Sequence, residues 1–136
     1  DGAEKHLKAA LEADPEMPQA AYNLGVLLAR KQDKEGFQWL NKAALLVPEN
    51  WNYTSSYLYF LQQNGRASET ESVLMRIIET GRASSEAYFN LAGGMEREGR
   101  ISEALTIYKK AKLDARLPME AKRYASNQEQ RLRTAP

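Results

Sequence analysis

Small and large apolar residues recur along the chain at a nearly constant interval. Within each copy they fall three or four positions apart, which is the spacing of residues on one face of an α-helix. Equivalent large residues of successive copies are 33 or 34 positions apart. The four copies read Ala3–Leu7–Ala10, Gly36–Leu40–Ala43, Thr70–Leu74–Ile77 and Ala104–Tyr108–Ala111. Self-similarity at such a period predicts a repeat architecture in which each copy forms one helix of a hairpin.

A second set of apolar segments precedes these copies and predicts the other helix of each hairpin. Gly65 and Gly99 are placed to end helices in the left-handed conformation, and Asn50 and Ser84 can cap the helices that follow. These signals predict an all-α fold. The predicted helices span 2–13, 18–31, 34–46, 51–64, 68–80, 85–98, 102–114 and 118–133.

Small residues in both helices of a hairpin predict where the two backbones approach closely. Gly25 and Ala92 are expected to face Gly36 and Ala104, since only small side chains allow such an approach. The signature positions of a known repeat are occupied by Leu24, Gly25, Ala43, Pro48, Leu91, Ala92, Gly99, Ala104, Tyr108 and Ala111. On them the chain resembles the tetratricopeptide repeat family over essentially its whole length.

The resemblance implies an α-solenoid of antiparallel helical hairpins that is closed by a C-terminal capping helix. It implies one domain, 1–136, with a partial repeat 1–17, repeats 18–50, 51–84 and 85–118, and a capping helix 118–133. Because the chain opens inside a repeat, we expect it to be a fragment of a longer protein. The middle repeat departs from the family pattern, with Leu58 in place of a small residue and Thr70 and Ile77 in place of Ala. These departures are expected to change local helix crossing angles and to leave the fold intact.

Composition and charge exclude several classes of function. The chain of 136 residues has no Cys, which rules out disulfides and thiolate metal sites, and its formal charge of +1 argues against nucleic-acid binding. Residues 109–133 are nevertheless basic, which suits either a solvated helix or an acidic partner. No apolar stretch reaches the roughly 20 residues of a membrane span. The compartment stays open between cytoplasm and periplasm, and similar arrays in bacterial multidomain proteins suggest a bacterial source.

Chemistry-bearing residues are too scattered to predict an enzyme. His6 is the only histidine, and the carboxylate pairs Glu69/Glu71 and Glu96/Glu98 lie two positions apart, so each pair diverges on a helix. We therefore predict no catalytic residue, no metal site and no cofactor. Gly93 and Gly94 fall inside a predicted helix, where we expect a close helix-to-helix approach; the alternative is room for a ligand backbone.

The resemblance further implies that the first helices of the hairpins line a concave groove that binds a partner segment. Its positions carry aromatic, amide and few charged groups, which suit protein recognition. Family members that clamp a terminal carboxylate have Lys, Arg and Asn where this chain has Tyr22, Val26, Ser56 and Glu86, so that specificity is not expected. The predicted partner-binding residues are Tyr22, Asn23, Val26, Arg30, Tyr59, Phe89, Asn90 and Arg97.

We therefore predict a protein–protein interaction scaffold, with a structural spacer or oligomerisation module as the alternative. Tyr22 and Phe89 are expected to serve the groove and not the packing of the hairpins. Leu7, Ala10 and Leu11 are expected to expose an apolar stripe at the incomplete first repeat, which would promote self-association.

Overall fold

The computed structural model describes residues 2–135, and in that range the chain forms eight α-helices and no strand. Each helix begins and ends within two residues of the predicted range, so the predicted all-α fold is confirmed. A 3₁₀ turn (Ala67–Glu69) precedes the fifth helix. The helices are α1 (Gly2–Ala13), α2 (Pro18–Arg30), α3 (Glu35–Leu46), α4 (Trp51–Gln63), α5 (Thr70–Glu79), α6 (Ser85–Arg97), α7 (Ile101–Leu113) and α8 (Met119–Thr134).

Local sequence signals set the ends of these helices as predicted. The side-chain oxygen of Asn50 accepts a hydrogen bond from the N–H of Tyr53 at 3.0 Å and caps α4. Ser84 caps α6 in the same way, through the N–H of Ala87 at 3.3 Å. Each cap satisfies one of the N–H groups that lack a partner inside the helix, so both helices start at a defined residue.

The turns inside the hairpins depend on residues with positive φ. Gly65 and Gly99 have φ values of 73° and 77°, which a residue without a Cβ adopts at little cost. The turn between α2 and α3 places Gln32 in this region instead, with φ at 62°. A side chain at such a φ stores strain, so this turn is held by the packing of the two helices it joins.

The hairpin of α2 and α3 closes through its two glycines, as predicted. A Cβ on Gly36 would lie 2.5 Å from the backbone nitrogen of Ala29 and 2.9 Å from the carbonyl oxygen of Gly25. The hairpin of α6 and α7 has Ala92 and Ala104 at the equivalent positions, and both are fully buried. Small residues therefore fix the distance between the paired helices.

The middle hairpin is packed more loosely than its neighbours. α4 and α5 approach each other at far fewer positions than α2 and α3 or α6 and α7 do. Leu58 stands on α4 where the other hairpins have Gly25 and Ala92, and its larger side chain keeps the two backbones apart. The looser packing lies in the repeat that departs from the family pattern, with a 3₁₀ turn ahead of α5. The expected change in helix crossing angles stays a prediction.

Buried apolar side chains form two clusters along the array. The smaller cluster joins α1, α2, α3 and α4 around Leu11, Leu24 and Leu28, while the larger one runs from Ala29 to Leu132. Leu11 is only 3% exposed. The expectation that Leu11 lies on an exposed stripe was therefore wrong, because α2 covers it; Leu7 and Ala10 are half-buried. Self-association through this end stays a prediction.

Charged groups attach α8 to the preceding helices. Glu129 is 3% exposed, and its carboxylate lies 2.7 Å from the Lys112 ammonium of α7 and 3.2 Å from Arg133. Glu96 of α6 accepts hydrogen bonds from the Tyr108 hydroxyl at 2.6 Å and from Arg131 at 2.5 Å. Two carboxylates thus fix the position of the capping helix.

These contacts change the titration of the groups involved. Burial alone would raise the pKa of Glu96, but the hydrogen bonds from Tyr108 and Arg131 outweigh it and hold the pKa below 4.5. Burial, with the neighbouring Glu96 carboxylate, raises the pKa of Tyr108. The corner of α6, α7 and α8 is therefore most stable with Glu96 ionised.

Polar contacts between successive hairpins repeat at the period of the sequence. Each joins residues 33 to 35 positions apart at a distance of 2.5 to 3.1 Å. They are Arg82 to Glu49, Arg116 to the carbonyl oxygen of Ala83, and Arg131 to Glu96. Exposed ion pairs contribute about 0–1 kcal/mol each, so these contacts orient neighbouring hairpins more than they stabilise them.

The hydroxyl of Thr54 is a buried polar group without a hydrogen bond in the described part of the chain. Thr54 of α4 is fully buried, and its side-chain hydroxyl has no partner. Burying such a group costs about 1–3 kcal/mol.

Among residues 2–135, no helix is long and apolar enough to cross a membrane.

Candidate functional site

Three clefts follow one another along the helices α2, α4, α6 and α8. The first lies between α2 and α4 and has a volume of about 320 Å³. The second, of about 330 Å³, lies between α4 and α6 and is bordered by α5 and the 3₁₀ turn. The third lies between α6 and α8 and measures about 400 Å³. We call the surface that carries these three clefts the inner face.

The first cleft brings four of the predicted residues together. They come from two helices, and the cleft is also bordered by two serines and Phe60. Tyr59 is 56% exposed, and its ring meets the edge of the Phe60 ring at a centroid distance of 5.3 Å. An exposed ring of this size offers contact area to another molecule. The four predicted residues are Tyr22, Val26, Arg30 and Tyr59.

Tyr22 also holds α2 against α4. Its ring stacks on Tyr53 with centroids 4.7 Å apart, and its hydroxyl lies 2.9 Å from the hydroxyl of Ser56. The expectation that Tyr22 is not needed for packing was therefore wrong. The reason is the 34-residue separation of Tyr22 and Ser56, which places them on adjacent repeats at matching positions.

The second cleft contains Asn90 and Arg97, and both side chains are exposed. Its floor is formed by apolar side chains that are at most 6% exposed, and its rim is polar. The floor residues are Leu58, Leu74, Leu91 and Met95. An apolar floor with a polar rim can take an apolar side chain and orient it by hydrogen bonds.

The third cleft contains Phe89, which also packs against α7 and α8. Its ring meets the edge of Tyr124 at 4.6 Å between centroids and lies 6.1 Å from the ring of Tyr108. Phe89 is thus a packing residue as well, contrary to expectation. Tyr124 is 45% exposed and was not among the predicted residues. Tyr124 follows Phe89 by 35 positions, which is close to the repeat period. This spacing could have predicted Tyr124 as the equivalent inner-face residue of the next helix.

Asn23 lies beside the three clefts and not in them. Its side-chain oxygen accepts a hydrogen bond from the Gln19 amide at 2.9 Å. The Gln19 oxygen in turn accepts a hydrogen bond from the Tyr53 hydroxyl at 3.0 Å. These contacts orient the Gln19 amide, while the Asn23 side chain itself stays exposed.

The two glycines inside α6 do not serve a close helix-to-helix approach. A Cβ on Gly93 or Gly94 would meet only the guanidinium of Arg97, at 3.6 and 3.7 Å. The expected role was wrong because no neighbouring helix comes near this side of α6. The alternative, room on the inner face, agrees with this geometry.

Carboxylates and cations are not equal in number around the second cleft. Arg100 forms ion pairs with Glu71 at 2.5 Å and with Glu98 at 2.9 Å. The hydrogen bond from Arg100 lowers the pKa of Glu71, which keeps that carboxylate ionised. Within residues 2–135, Arg97 and Arg30 have no ion-pair partner. Because Glu71, Glu98 and Glu103 share the one Arg100 guanidinium, the rim of the second cleft carries more negative than positive charge even with Arg97 included.

The carboxylate pairs named in the sequence diverge, as their spacing predicts. Glu69 binds Arg66, whereas Glu71 binds Arg100. His6 is exposed on α1, and its Nδ1 donates to the carbonyl oxygen of Gly2 at 2.6 Å. No group of three metal-ligating side chains occurs in the part of the chain that the structure describes.

A family model described as tetratricopeptide repeat matches residues 1–52, which include α1, α2 and α3. The first part of the chain, residues 1–52, therefore has the sequence of a tetratricopeptide repeat. A search of curated proteins gives no significant match. Tetratricopeptide repeats in general mediate protein–protein interactions and are typically non-catalytic scaffolds, so a protein is the expected kind of partner. The helical hairpins after residue 52 have the same architecture.

Proposed function

We propose that the inner face is a groove that binds an extended segment of a partner protein, and that the chain acts as an interaction scaffold without catalytic activity. The observation that carries the proposal is the exposure of recognition groups along three consecutive clefts. Tyr59 is 56% exposed, and Asn90 and Arg97 are also exposed, although each borders a cleft. Side chains with such surroundings are free to bind another chain.

The aromatic and amide groups on this face suit a polypeptide ligand. Tyr59 and Phe60 offer ring surface, while Gln62 and Asn90 can both donate to and accept from a peptide backbone. Because binding energy concentrates in a few central residues, a short segment that reaches the first two clefts would be enough for recognition. Tyr22 and Phe89 contribute to the groove and to the packing of the array.

Site-specific crosslinking tests the proposal. A photoreactive phenylalanine derivative is placed at Tyr59 on the inner face and, as the matched control, at Gln38, which is exposed on the outer helix α3. Irradiation in a lysate of the source organism should crosslink a partner segment from position 59 and not from position 38. Equal crosslinking from both positions, or crosslinks only to a second copy of the chain, would favour the oligomerisation role and refute the groove.

A binding measurement follows with the crosslinked segment as a synthetic peptide. Tyr59→Ala should weaken binding by roughly 1–3 kcal/mol, because the exposed ring contributes contact area. Helical content measured by circular dichroism should stay unchanged, since Tyr59 contributes little to the core. Unchanged affinity in both Tyr59→Ala and Asn90→Ala would contradict the proposed site.

A further inference from the structure

A fourth cleft lies away from the inner face, between the outer helices α3 and α5. Its volume is about 570 Å³, which is within the range of small-molecule binding sites. The loosely packed middle hairpin borders it: Tyr57 comes from α4, while Arg66 and Glu69 come from the turn that leads into α5. We call this space the outer cleft. It shares no lining residue with the three clefts of the inner face.

Cations outnumber carboxylates in the outer cleft. Lys34, Arg66 and Arg76 border it, and Glu69 is the one carboxylate among its lining residues. Arg66 neutralises Glu69, since its Nε and Nη2 donate to the two carboxylate oxygens at 2.6 and 2.9 Å. These hydrogen bonds lower the pKa of Glu69, so the pair stays ionised. Lys34 and Arg76 have no ion-pair partner within residues 2–135, and their two positive charges remain.

Acidic residues close to these two cations in the sequence do not border the outer cleft. Asp33 and Glu35 flank Lys34, but neither lines the cleft, and the Asp33 carboxylate accepts a hydrogen bond from the N–H of Glu35 at 3.0 Å. Glu79, one turn after Arg76, borders a different cleft, between α5 and α7. The side chains that line the outer cleft thus give it an excess of positive charge.

Uncharged hydrogen-bonding groups border the same cleft. Tyr57 is 4% exposed, and its burial raises the pKa of its hydroxyl despite the nearby Arg76 and Arg66 cations, so the hydroxyl keeps its proton at neutral pH and can donate. The amide of Asn41 can both donate and accept. The Arg66 guanidinium covers the ring of Phe37 at 4.4 Å, which leaves little of this ring for stacking. The cleft therefore suits a polar anion more than an aromatic one.

We propose that the outer cleft binds a small molecule that carries a phosphate monoester and hydroxyl groups, as a sugar phosphate does. A phosphate monoester has a charge of about −1.5 to −2 at pH 7, which matches the two unpaired cations better than the single charge of a carboxylate. Asn41 and the Tyr57 hydroxyl would bind the hydroxyl groups. The inference goes beyond the proposed function, and because the two surfaces share no lining residue, either can fail without the other.

Nuclear magnetic resonance titration of the ¹⁵N-labelled whole chain tests the inference. The probes are glucose 6-phosphate, glucose, gluconate and N-acetylphosphoserine amide, at neutral pH and constant ionic strength. Glucose 6-phosphate should shift the signals of Lys34, Asn41, Tyr57 and Arg76. It should bind about tenfold more tightly than glucose or gluconate, because the second phosphate charge adds a charge-assisted hydrogen bond. The phosphoserine amide, which has the phosphate without the sugar hydroxyls, should bind more weakly.

Substitutions in the cleft test the role of each group. Lys34→Gln and Arg76→Gln should each weaken binding of glucose 6-phosphate by about five- to tenfold, since each removes a charged donor that is partly screened by solvent. Tyr57→Phe should weaken it by about two- to fivefold and keep the buried ring. Lys109→Gln is the matched control, because it removes one exposed charge from the outer helix α7 and should leave binding unchanged. Circular dichroism verifies that each variant is folded.

Several results would overturn the inference. Equal binding of glucose or gluconate would refute a role for the phosphate charge, and tighter binding of the phosphoserine amide would assign the cleft to a phosphorylated protein. An equal loss of affinity in Lys109→Gln, or signal changes outside the outer cleft, would show a general attraction to positive charge. If glucose 6-phosphate shifts no signal at millimolar concentration, the site itself is refuted.

Discussion

The same substitution, Gly to Ala, should have opposite effects at two helical positions of this chain. Gly36 and Gly94 both lie inside α-helices, where Ala is favoured over Gly by about 1 kcal/mol. The two positions differ in what a new Cβ would meet. Gly36 faces the backbone of α2, whereas Gly94 faces the open second cleft.

The expected magnitudes follow from these surroundings. At Gly36 the new Cβ would lie 2.5 Å from the Ala29 nitrogen and 2.9 Å from the Gly25 oxygen, and both are backbone atoms that cannot rotate away. The two helices must move apart, at a cost of about 1–3 kcal/mol that outweighs the gain in helix propensity. At Gly94 the nearest atom is the end of the flexible Arg97 side chain, 3.7 Å away. Gly36→Ala should therefore destabilise by up to about 2 kcal/mol, and Gly94→Ala should stabilise by up to about 1 kcal/mol.

Urea denaturation followed by two signals measures both effects. Far-ultraviolet circular dichroism reports all helices, while fluorescence reports Trp39 and Trp51, the two tryptophans of the chain. Coincident curves show a single transition, which is required before free energies are compared in a repeat array. In thermal unfolding, 1 kcal/mol corresponds to a shift of about 3–6 °C for a chain of this size.

Either of two results would refute this reasoning. A Gly36→Ala protein as stable as the parent would mean that α2 and α3 separate freely, and the close hairpin would lose its explanation. A destabilised Gly94→Ala protein would mean that this side of α6 is packed against something. Gly93→Ala repeats the second measurement at an equivalent position and should agree with it.

Three further substitutions test single contacts. Thr54→Val removes the buried hydroxyl without a partner and should stabilise by about 1 kcal/mol, while Thr106→Val, at an exposed position, should change little in the same urea titration. Gln32→Gly relieves the positive φ of the first turn and should raise the melting temperature by a few degrees. The pKa of Glu96 is lower in the folded chain than in the unfolded chain, where it is about 4.5. The ionised carboxylate therefore stabilises the fold above about pH 4.5, and this contribution is lost as the pH falls through the pKa of Glu96 in the folded chain. Glu96→Gln should therefore flatten the acid side of a plot of melting temperature against pH, and Glu12→Gln, which removes one exposed charge, should not.

The helices could be predicted from the sequence because their signals are local. The spacing of apolar residues within one copy, a cap such as Asn50 and a turn glycine such as Gly65 each act over a few positions. The small pair Gly25 and Gly36 could also be predicted, since its two members belong to one hairpin. The start of α5 was less well placed, because a hydrogen bond from Thr70 to Ala67 closes a 3₁₀ turn that periodicity does not reveal.

Contacts between repeats were harder to predict, because they depend on how successive hairpins stack. Tyr22 was assigned to the groove alone, yet it reaches Tyr53 and Ser56 across the repeat boundary. Gly94 was assigned to a helix interface, yet its neighbour is only Arg97. Residue type and spacing show which face a residue occupies, but they do not show how far away the next helix lies. The predicted groove residues and the division into repeats stay predictions.

The loosely packed middle hairpin has a consequence for the mechanics of the array. The hairpins on either side are held together by small residues, so the stiffness of the molecule is unevenly distributed along its length. A pulling force applied to the two ends should first extend the joint between α4 and α5. We expect single-molecule stretching to show this early extension. A ligand bound in the second cleft, which α4, α5 and α6 border, would stabilise the same joint.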